Sequence, residues 1–211
     1  ADAVTHTEKP LQLLSTAEDV YWFIADHLQQ RGKQSSDRLL EVGSGLGYLT
    51  YSLAKSGYNI RGLELSTKAV AAAQKRYGDL YDAGDLFELT RSAPGAYDVV
   101  ILTEVIEHLS DPLSFLAAAR GLLAPGGVIL LTTPNKSLYP PTSYWQTDNP
   151  PVHLWWFSEA SMRQMAIGLG MQIHFGDFTA FNAGRMFGRP AGPPDSNYCA
   201  PILDAEGGVA L

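Results

Sequence analysis

Short apolar runs alternate along much of the chain with segments whose apolar residues recur at helical spacing. Most runs are bounded by glycine, proline or polar residues, which is the pattern of buried strands joined by helices. Helices are predicted at about 48–56, between the cap Ser66 and Gly78, and at about 113–123. The alternation is typical of an α/β fold with a doubly wound, mostly parallel sheet and helices on both faces. Strands are predicted at 38–42, 59–63, 80–83, 97–102 and 128–133.

The segments that flank this alternating region carry other signals. Ser15 and Glu18 have the spacing of a capping box, which predicts an amphipathic helix that ends near Arg31. Residues 134–157 are polar and aromatic without a sustained period, which indicates a long functional loop.

Domain organisation follows from these elements. After the loop, Ser158 caps a predicted helix at about 159–169, and a sixth strand is predicted at 171–175. The rest is rich in Gly, Pro and Ala, and only 198–203 is a candidate for a last strand. The chain thus divides into a covering helix with a linker, an α/β domain that includes the loop, and an irregular tail: 1–37, 38–178 and 179–211.

Charge and cysteine content limit the binding partners and the cellular location that the sequence predicts. With 15 Lys and Arg against 22 Asp and Glu, the formal net charge is −7, which disfavours nucleic acid and anionic lipid as partners. No apolar run approaches the ~18 residues that indicate a membrane span. The single cysteine, Cys199, cannot form an internal disulfide, which favours a reducing, cytoplasmic location. The sequence begins at Ala1 without a Met or a signal-peptide pattern, so we expect a trimmed or excised chain.

A glycine loop, Gly43-Ser44-Gly45-Leu46-Gly47, follows the first predicted strand. In doubly wound sheets ligands bind beyond the carboxyl ends of the strands. The dinucleotide fingerprint G-x-G-x-x-G requires glycine at position 48, but Tyr48 stands there, which counts against a nicotinamide dehydrogenase. Glu41, inside the strand end, suits a ligand that carries a positive group. The alternative is that the glycines only form a tight turn.

Acidic residues follow the next two strands. Glu64 ends the second strand, where a carboxylate can accept two hydrogen bonds from a ribose diol. Asp85 follows the third strand and can accept from an exocyclic amine such as that of adenine. Either acid alone could instead be a solvated strand end or a helix cap. Three successive strand ends with an acid or a glycine loop favour a ligand site.

Taken together, these motifs resemble the class I S-adenosylmethionine-dependent methyltransferases, and among them the small-molecule and quinone-type O-methyltransferases. The resemblance covers about 37–178, with the motifs in order and at the usual spacings. Its five motifs lie at 39–47, 62–66, 83–86, 97–112 and 123–127.

The resemblance implies S-adenosylmethionine as the cofactor and S-adenosylhomocysteine as its product. The glycine loop would wrap the methionine part, Glu64 would bind the ribose hydroxyls, and Asp85 and Leu86 would address the adenine. Thr103 would lie beside the sulfonium, and the N-terminal helix would cover the cofactor. The implied cofactor-binding residues are Glu41, Gly43, Gly45, Gly47, Glu64, Leu65, Asp85, Leu86 and Thr103.

Methyl transfer to a hydroxyl requires alignment of the reacting atoms and a group that removes the proton. His153, His108 and Glu107 are the candidate general bases. The structural alternatives are that His108 packs at the start of the following helix and that His153 is a hydrogen-bonded loop histidine.

The string Glu104-x-x-Glu107-His108 raises the question of a metal. Positions i, i+3 and i+4 share one face of a helix and could present two carboxylates and an imidazole to a divalent ion. The string resembles a metal-associated motif of some quinone-pathway methyltransferases and of terminal-ribose methyltransferases that act on small RNA. Many relatives carry a similar string without metal. We therefore predict a site without metal, with a metal-assisted ribose methyltransferase as an alternative.

Aromatic residues gather with His153 in the loop after the fifth strand, where this family usually places acceptor-binding elements. Aromatic walls suit a flat or sugar-like acceptor, although the rings could instead form a satellite core. We expect methyl transfer to an oxygen, in preference to nitrogen or carbon, of a small-molecule or glycan acceptor. A non-catalytic S-adenosylmethionine-binding module of a larger chain is the alternative of a different class. The aromatic residues are Tyr144, Trp145, Trp155, Trp156 and Phe157.

Overall fold

The computed structural model describes residues 19–32, 36–138 and 151–178. The strands in these ranges are β1 Arg38–Val42, β2 Asn59–Glu64, β3 Tyr81–Ala83, β4 Tyr97–Thr103 and β5 Leu123–Thr132. They form one sheet in the order β3-β2-β1-β4-β5, and every neighbouring pair is parallel. From β1 the chain builds outward first on one side and then on the other, so the topological switch point lies between β1 and β4.

Helices connect the strands and cover the sheet. Two helix caps that the sequence predicts are present. Ser66 accepts from the amide of Ala69, and Ser158 exchanges hydrogen bonds with Ser161 in a capping box. None of the helices in the described part of the chain is long and apolar enough to cross a membrane. The helices are α1 Asp19–Arg31, α2 Tyr48–Lys55, α3 Thr67–Tyr77, α4 Leu86–Ser92, α5 Pro112–Gly121 and α6 Glu159–Gly168.

Both faces of the sheet are buried under helices, and successive strand residues point to the two faces in turn. Leu39 of β1 packs in a cluster with α1 and α2, whereas Leu40 packs in a second cluster with α4 and α5. On β4, Val99 and Val100 divide in the same way, and neither is exposed to solvent. The predicted α/β class, with helices on both faces of a parallel sheet, is confirmed.

The fifth strand is less regular than predicted. Tyr97 pairs with Leu123, but Val99 pairs with Val128, so several residues of β5 face a single residue of β4. Residues 125–127, which precede the predicted strand at 128–133, lie inside this irregularity, and Gly126 has φ +78 there. The strand therefore begins earlier than the sequence pattern indicated, with these residues as a bulge within it.

Two differences from the sequence prediction concern short elements. The predicted sixth strand at 171–175 is wrong, since these residues form no ladder and none of them is buried. An alternating pattern produces a strand only where a neighbouring edge accepts its backbone hydrogen bonds. Helix α4 was not predicted, because it is short and its only clear signal is the cap Asp85. The predicted capping box at Ser15 and the candidate strand at 198–203 lie outside the described residues.

Candidate functional site

The glycine loop lies at the carboxyl end of β1, next to the switch point of the sheet. The amides of Gly43 and Ser44 both donate to the carbonyl of Leu63 on β2, at 2.8 and 3.2 Å. Gly45 has φ +51, and no heavy atom lies within 4 Å of the position that a Cβ would occupy. The loop is thus attached to the sheet on its inner side and is open at Gly45.

Glu64, the last residue of β2, joins the glycine loop to the start of α3. Its Oε2 accepts from the amide of Gly45 at 2.9 Å, and its Oε1 accepts from the amide of Ser66 at 2.8 Å. The next side chain, Leu65, is 74% exposed at the same edge. A carboxylate retains lone pairs beyond two such bonds, so this geometry is compatible with the predicted binding of ribose hydroxyls.

Asp85 follows β3 and caps α4. Its Oδ1 accepts from the amides of Phe87 and Glu88, at 2.8 and 3.1 Å. The neighbouring side chain of Leu86 is 3% exposed and belongs to the core beneath the sheet. Any contact of Leu86 with a ligand would therefore come from its backbone, and Asp85 already has the helix-cap role that the sequence allowed as its alternative.

Glu41 lies inside the protein, not at the open edge. It is 3% exposed, and its Oε2 accepts from Thr50 twice, from the amide at 2.9 Å and from the hydroxyl at 2.5 Å. Burial raises the pKa of Glu41 to about 7, against the two hydrogen bonds from Thr50, which lower it, while the charge of Glu64 raises it further. Glu41 therefore attaches the first turn of α2 to β1.

The chain turns sharply after β4. Thr103 ends the strand, and Glu104 has φ +52, a backbone conformation that is strained for a residue with a side chain. The amide of Glu104 donates to the carbonyl of Thr132 on β5 at 3.1 Å. A single 3₁₀ turn, Ile106–His108, follows. Residues 104–108 therefore do not form a continuous α-helix.

Three candidate catalytic residues meet at this turn, and we call Glu107, His108 and His153 the histidine cluster. Ligand atoms of the three side chains lie within 4.8 Å of one another. The rings of His108 and His153 meet edge to face, with centroids 4.6 Å apart and an interplanar angle of 73°. Nε2 of His108 lies 3.8 Å from Oε1 of Glu107. The sequence placed Glu107 and His108 in one string and His153 in a separate loop, and the structure brings the three side chains together.

The polar atoms of the histidine cluster are only partly satisfied. Glu107 is fully buried, and its Oε2 accepts from the hydroxyl of Thr133 at 2.9 Å. Nδ1 of His108 lies 2.6 Å from the carbonyl oxygen of Val152, so it carries the proton and Nε2 is the acceptor in the neutral ring. Oε1 of Glu107 and Nδ1 of His153 are buried without a hydrogen-bond partner among the described residues. Such atoms are costly unless a ligand pairs them.

Backbone hydrogen bonds attach the loop that carries His153 to the turn after β4. The carbonyl of Glu107 accepts from the amides of Leu154 and Trp155, at 2.8 and 3.3 Å. Nε1 of Trp155 donates to the carbonyl of Leu109 at 2.7 Å. Because these bonds do not depend on side-chain chemistry at His153, the position of that residue is set by its neighbours.

The aromatic residues of this loop have two different environments. Phe157 is 5% exposed and lies in the main core against the sheet, not in a satellite core, whereas Trp155 is 46% exposed. Trp155 also borders a groove of about 390 Å³ between the start of α5 and α6. Tyr144 and Trp145 lie outside the described residues. Further residues that line the groove are Leu113, Trp156 and Met165.

A family model described as a methyltransferase domain matches residues 17–174, which is most of the chain. The chain belongs to this methyltransferase family. Ubiquinone biosynthesis O-methyltransferase of Ralstonia nicotianae is 33% identical over 117 residues, which are 53% of this chain and 49% of the relative. The enzyme of the same name from Methylococcus capsulatus is 36% identical over 121 residues, 55% of this chain and 49% of the relative. The chain thus spans about half the length of these curated relatives.

Solved structures agree on the fold. An S-adenosylmethionine-dependent methyltransferase from Mesorhizobium loti superposes with a TM-score of 0.61 at 17% identity, over 83% of this chain and 91% of that one. A phosphoethanolamine N-methyltransferase from Haemonchus contortus gives a TM-score of 0.62 at 20% identity, over 77% and 40%. At such identities the likeness concerns the fold of the methyltransferase domain alone.

The possible metal ligands of this methyltransferase domain differ from those that the sequence grouped. The sequence placed Glu104, Glu107 and His108 on one face of a helix, but the positive φ of Glu104 breaks that helix. Among the described residues, His153 takes the third place in the cluster instead of Glu104. The helical spacing rule fails because it applies only where consecutive residues have α-helical backbone angles.

Sequence reasoning missed two threonines of the methyltransferase domain. Thr50 binds the carboxylate of Glu41, and Thr133 binds the carboxylate of Glu107. Thr133 stands directly after β5, beside the strand that ends before Glu107, so its position at a strand end was a usable signal. Thr50 lies in a helix and had no comparable signal.

Proposed function

We propose that this methyltransferase domain transfers a methyl group from S-adenosylmethionine to a hydroxyl oxygen of a small molecule. Family membership and the O-methyltransferase relatives support the reaction class. The observation that carries the proposal is the juxtaposition of two features at the carboxyl ends of adjacent strands. The open glycine loop follows β1, and the histidine cluster, in which Glu107 is buried, lies at the turn after β4, which pairs with β1.

The residues at the open edge fit this cofactor. Gly45 leaves free space on its outer side, and the carboxylate of Glu64 next to it has lone pairs for ribose hydroxyls. Leu46 and Leu65 are 53% and 74% exposed and offer apolar surface to a nucleoside. When bound, S-adenosylmethionine supplies an electrophilic methyl group on a positively charged sulfur.

The histidine cluster supplies a place for the acceptor proton. Nδ1 of His153, which has no other partner among the described residues, would take the proton that the acceptor hydroxyl gives up. The carboxylate of Glu107 then lies close to the imidazolium and stabilises its charge. Thr133 and the carbonyl of Val152 hold Glu107 and His108 in place.

The acceptor is proposed to be a flat, ring-bearing molecule. Trp155 presents an exposed indole two residues after His153, and its Nε1 is fixed by the carbonyl of Leu109. An aromatic side chain of fixed orientation suits stacking against a planar ring. Sugar rings also bind on indole faces, so a glycan acceptor is the second arm of the test.

Isothermal titration with S-adenosylmethionine and S-adenosylhomocysteine, followed by an acceptor screen with labelled methyl, tests the proposal. We expect both cofactor forms to bind and label to appear on the oxygen of a phenol-type acceptor. Label on glycans alone would change the acceptor class. Cofactor binding without label on any acceptor would favour a non-catalytic module, and absence of binding would overturn the proposal.

A metal-assisted version of the same reaction is a second candidate, favoured by one observation. Oε1 of Glu107 and Nδ1 of His153 are both buried, with no hydrogen-bond partner in the parts of the chain that the structure describes, and Nε2 of His108 lies in the same cluster. Two imidazoles and a carboxylate suit several divalent ions. Metal analysis of the purified protein, with His153→Ala as a comparison, distinguishes the versions. Stoichiometric metal that the variant loses favours ligation, whereas turnover that survives chelation favours the general base.

A further inference from the structure

The side chain of Tyr81 lies directly beneath the glycine loop. Tyr81 begins β3 and is 1% exposed, and its hydroxyl donates to the carbonyl of Gly47 at 2.8 Å. Val70 and Ala73 of α3 pack against it from below. Burial raises the pKa of the Tyr81 phenol, so the hydroxyl keeps its proton and remains a donor.

Two glycines make room for this ring. A Cβ on Gly47 would lie 2.6 Å from the phenol end of Tyr81, and a Cβ on Gly62 of β2 would lie 2.8 Å from its Cδ1. Gly47 also has φ +84, in the left-handed region. Gly47 is therefore required both by the tyrosine beneath it and by its own backbone angle. Of Gly45, Gly47 and Gly62, Gly45 alone faces open space.

The bond from Tyr81 falls at the junction between the loop and α2. The carbonyl of Gly47 also accepts from the amide of Tyr51 at 3.0 Å, which is the first helical hydrogen bond of α2. The amide of Gly45, two residues earlier, donates to Glu64. The Tyr81 hydroxyl thus fixes the position of the glycine loop relative to α2 and to the carboxylate of Glu64.

We propose that Tyr81 is a positioning residue for cofactor binding, which acts by holding the carbonyl of Gly47 and thereby the open conformation of the glycine loop. This inference rests on the proposed function for its ligand, S-adenosylmethionine. The hydroxyl of Tyr81 is buried and donates to the carbonyl of Gly47, so its removal should change cofactor affinity without changing the chemical step.

Tyr81→Phe tests the proposal, with Tyr77→Phe as the matched control. Tyr77 belongs to the same aromatic group, 6.5 Å from Tyr81 between ring centroids, but its buried hydroxyl has no partner in the described part of the chain. We expect Tyr81→Phe to raise the Kd for S-adenosylmethionine about five- to tenfold, as for a lost hydrogen bond that leaves a carbonyl less satisfied. The KM for cofactor should rise equally, while kcat at saturating cofactor stays within about twofold. Tyr77→Phe should bind as the wild type does.

Equal affinities of Tyr81→Phe and wild type would overturn the proposal, as would equal losses in both variants. A readout without ligand separates this result from failure of the proposed function. If the wild type binds no S-adenosylmethionine, the proposed function fails, and hydrogen exchange at the amides of Gly45 and Tyr51 decides the role of Tyr81. Faster exchange at these amides in Tyr81→Phe than in Tyr77→Phe, at equal global stability, supports positioning; equal exchange rejects it.

Discussion

The glycine loop with Glu64 and the histidine cluster lie at the same edge of the sheet, but their polar atoms are held differently. On the loop side, Glu64 uses both carboxylate oxygens to accept backbone amides, and its partner Gly45 is 19 residues away. In the histidine cluster, His108 contacts Val152 across 44 residues, and buried atoms of Glu107 and His153 lack partners within the described ranges.

This difference predicts separate roles for the two regions in binding and in turnover. A carboxylate whose bonds are made in the folded protein is preorganised, and a ligand can add to it without rearrangement. Buried polar atoms without hydrogen-bond partners destabilise the folded state by about 1–3 kcal/mol each. Such atoms are retained where a ligand or a transferred proton completes their hydrogen bonds. The loop side is therefore expected to control affinity, and the histidine cluster is expected to control turnover.

The largest expected effect on the loop side comes from Gly45→Val. A β-branched side chain opposes φ +51 and fills the open space at the edge, so cofactor binding should be abolished in isothermal titration. Gly78→Val is the control, since Gly78 has φ +91 and equally open surroundings at the end of α3. The control should lose stability but keep its affinity. Full cofactor binding by Gly45→Val would show that the loop is only a turn.

Glu41 gives the loop side a pH-dependent stability. Its pKa is raised from an ordinary 4.5 to about 7, so the folded protein holds this proton more tightly than the unfolded chain does. The free energy of unfolding should therefore fall as the pH rises from about 4.5 to about 7, by on the order of 3 kcal/mol, and then level off.

Glu41→Gln isolates this contribution, because the amide does not titrate but can still accept from Thr50. Urea unfolding of both proteins between pH 5 and 8 measures the difference. The variant should gain stability relative to wild type as the pH rises. Parallel pH profiles would mean that another group titrates in this range.

The histidine cluster is tested by His153→Ala. If His153 accepts the acceptor proton, turnover should fall ~100-fold or more while the Kd for S-adenosylmethionine is unchanged. His174→Ala serves as the control, since His174 is exposed and outside the cluster.

Other outcomes locate the base elsewhere. Joint loss of stability and cofactor binding would make His153 a packing residue and leave Glu107 or His108 as the base. Normal turnover in folded His153→Ala would remove His153 from both roles and indicate an acceptor acidic enough to react without a base.

The loop side was predictable from sequence because its parts are strand ends. Parallel strands place their carboxyl ends at one edge, so Gly45 and Glu64 had to be neighbours once both strands were identified. The buried position of Glu41 was not predictable, since its partner Thr50 lies in a helix. For the histidine cluster, the sequence grouped Glu107 with His108 but did not predict that His153 joins them. No sequence periodicity predicts the backbone hydrogen bonds between Glu107 and the loop near Trp155. The residue type at position 104 likewise does not indicate the positive φ of Glu104.

The smallest of these effects is expected for Glu64→Ala. Removing the carboxylate leaves the amides of Gly45 and Ser66 and the proposed ribose hydroxyls without an acceptor, so cofactor binding should weaken by ~1–3 kcal/mol with the fold intact. Glu88→Ala removes an equal charge from an exposed position on α4 and should leave affinity unchanged. Glu64→Gln keeps one carbonyl oxygen and should recover part of the loss, because one amide can still be paired. If Glu64→Ala binds S-adenosylmethionine as tightly as Glu88→Ala does, the carboxylate serves only to join the strand ends, and the division between an affinity side and a turnover side loses its support.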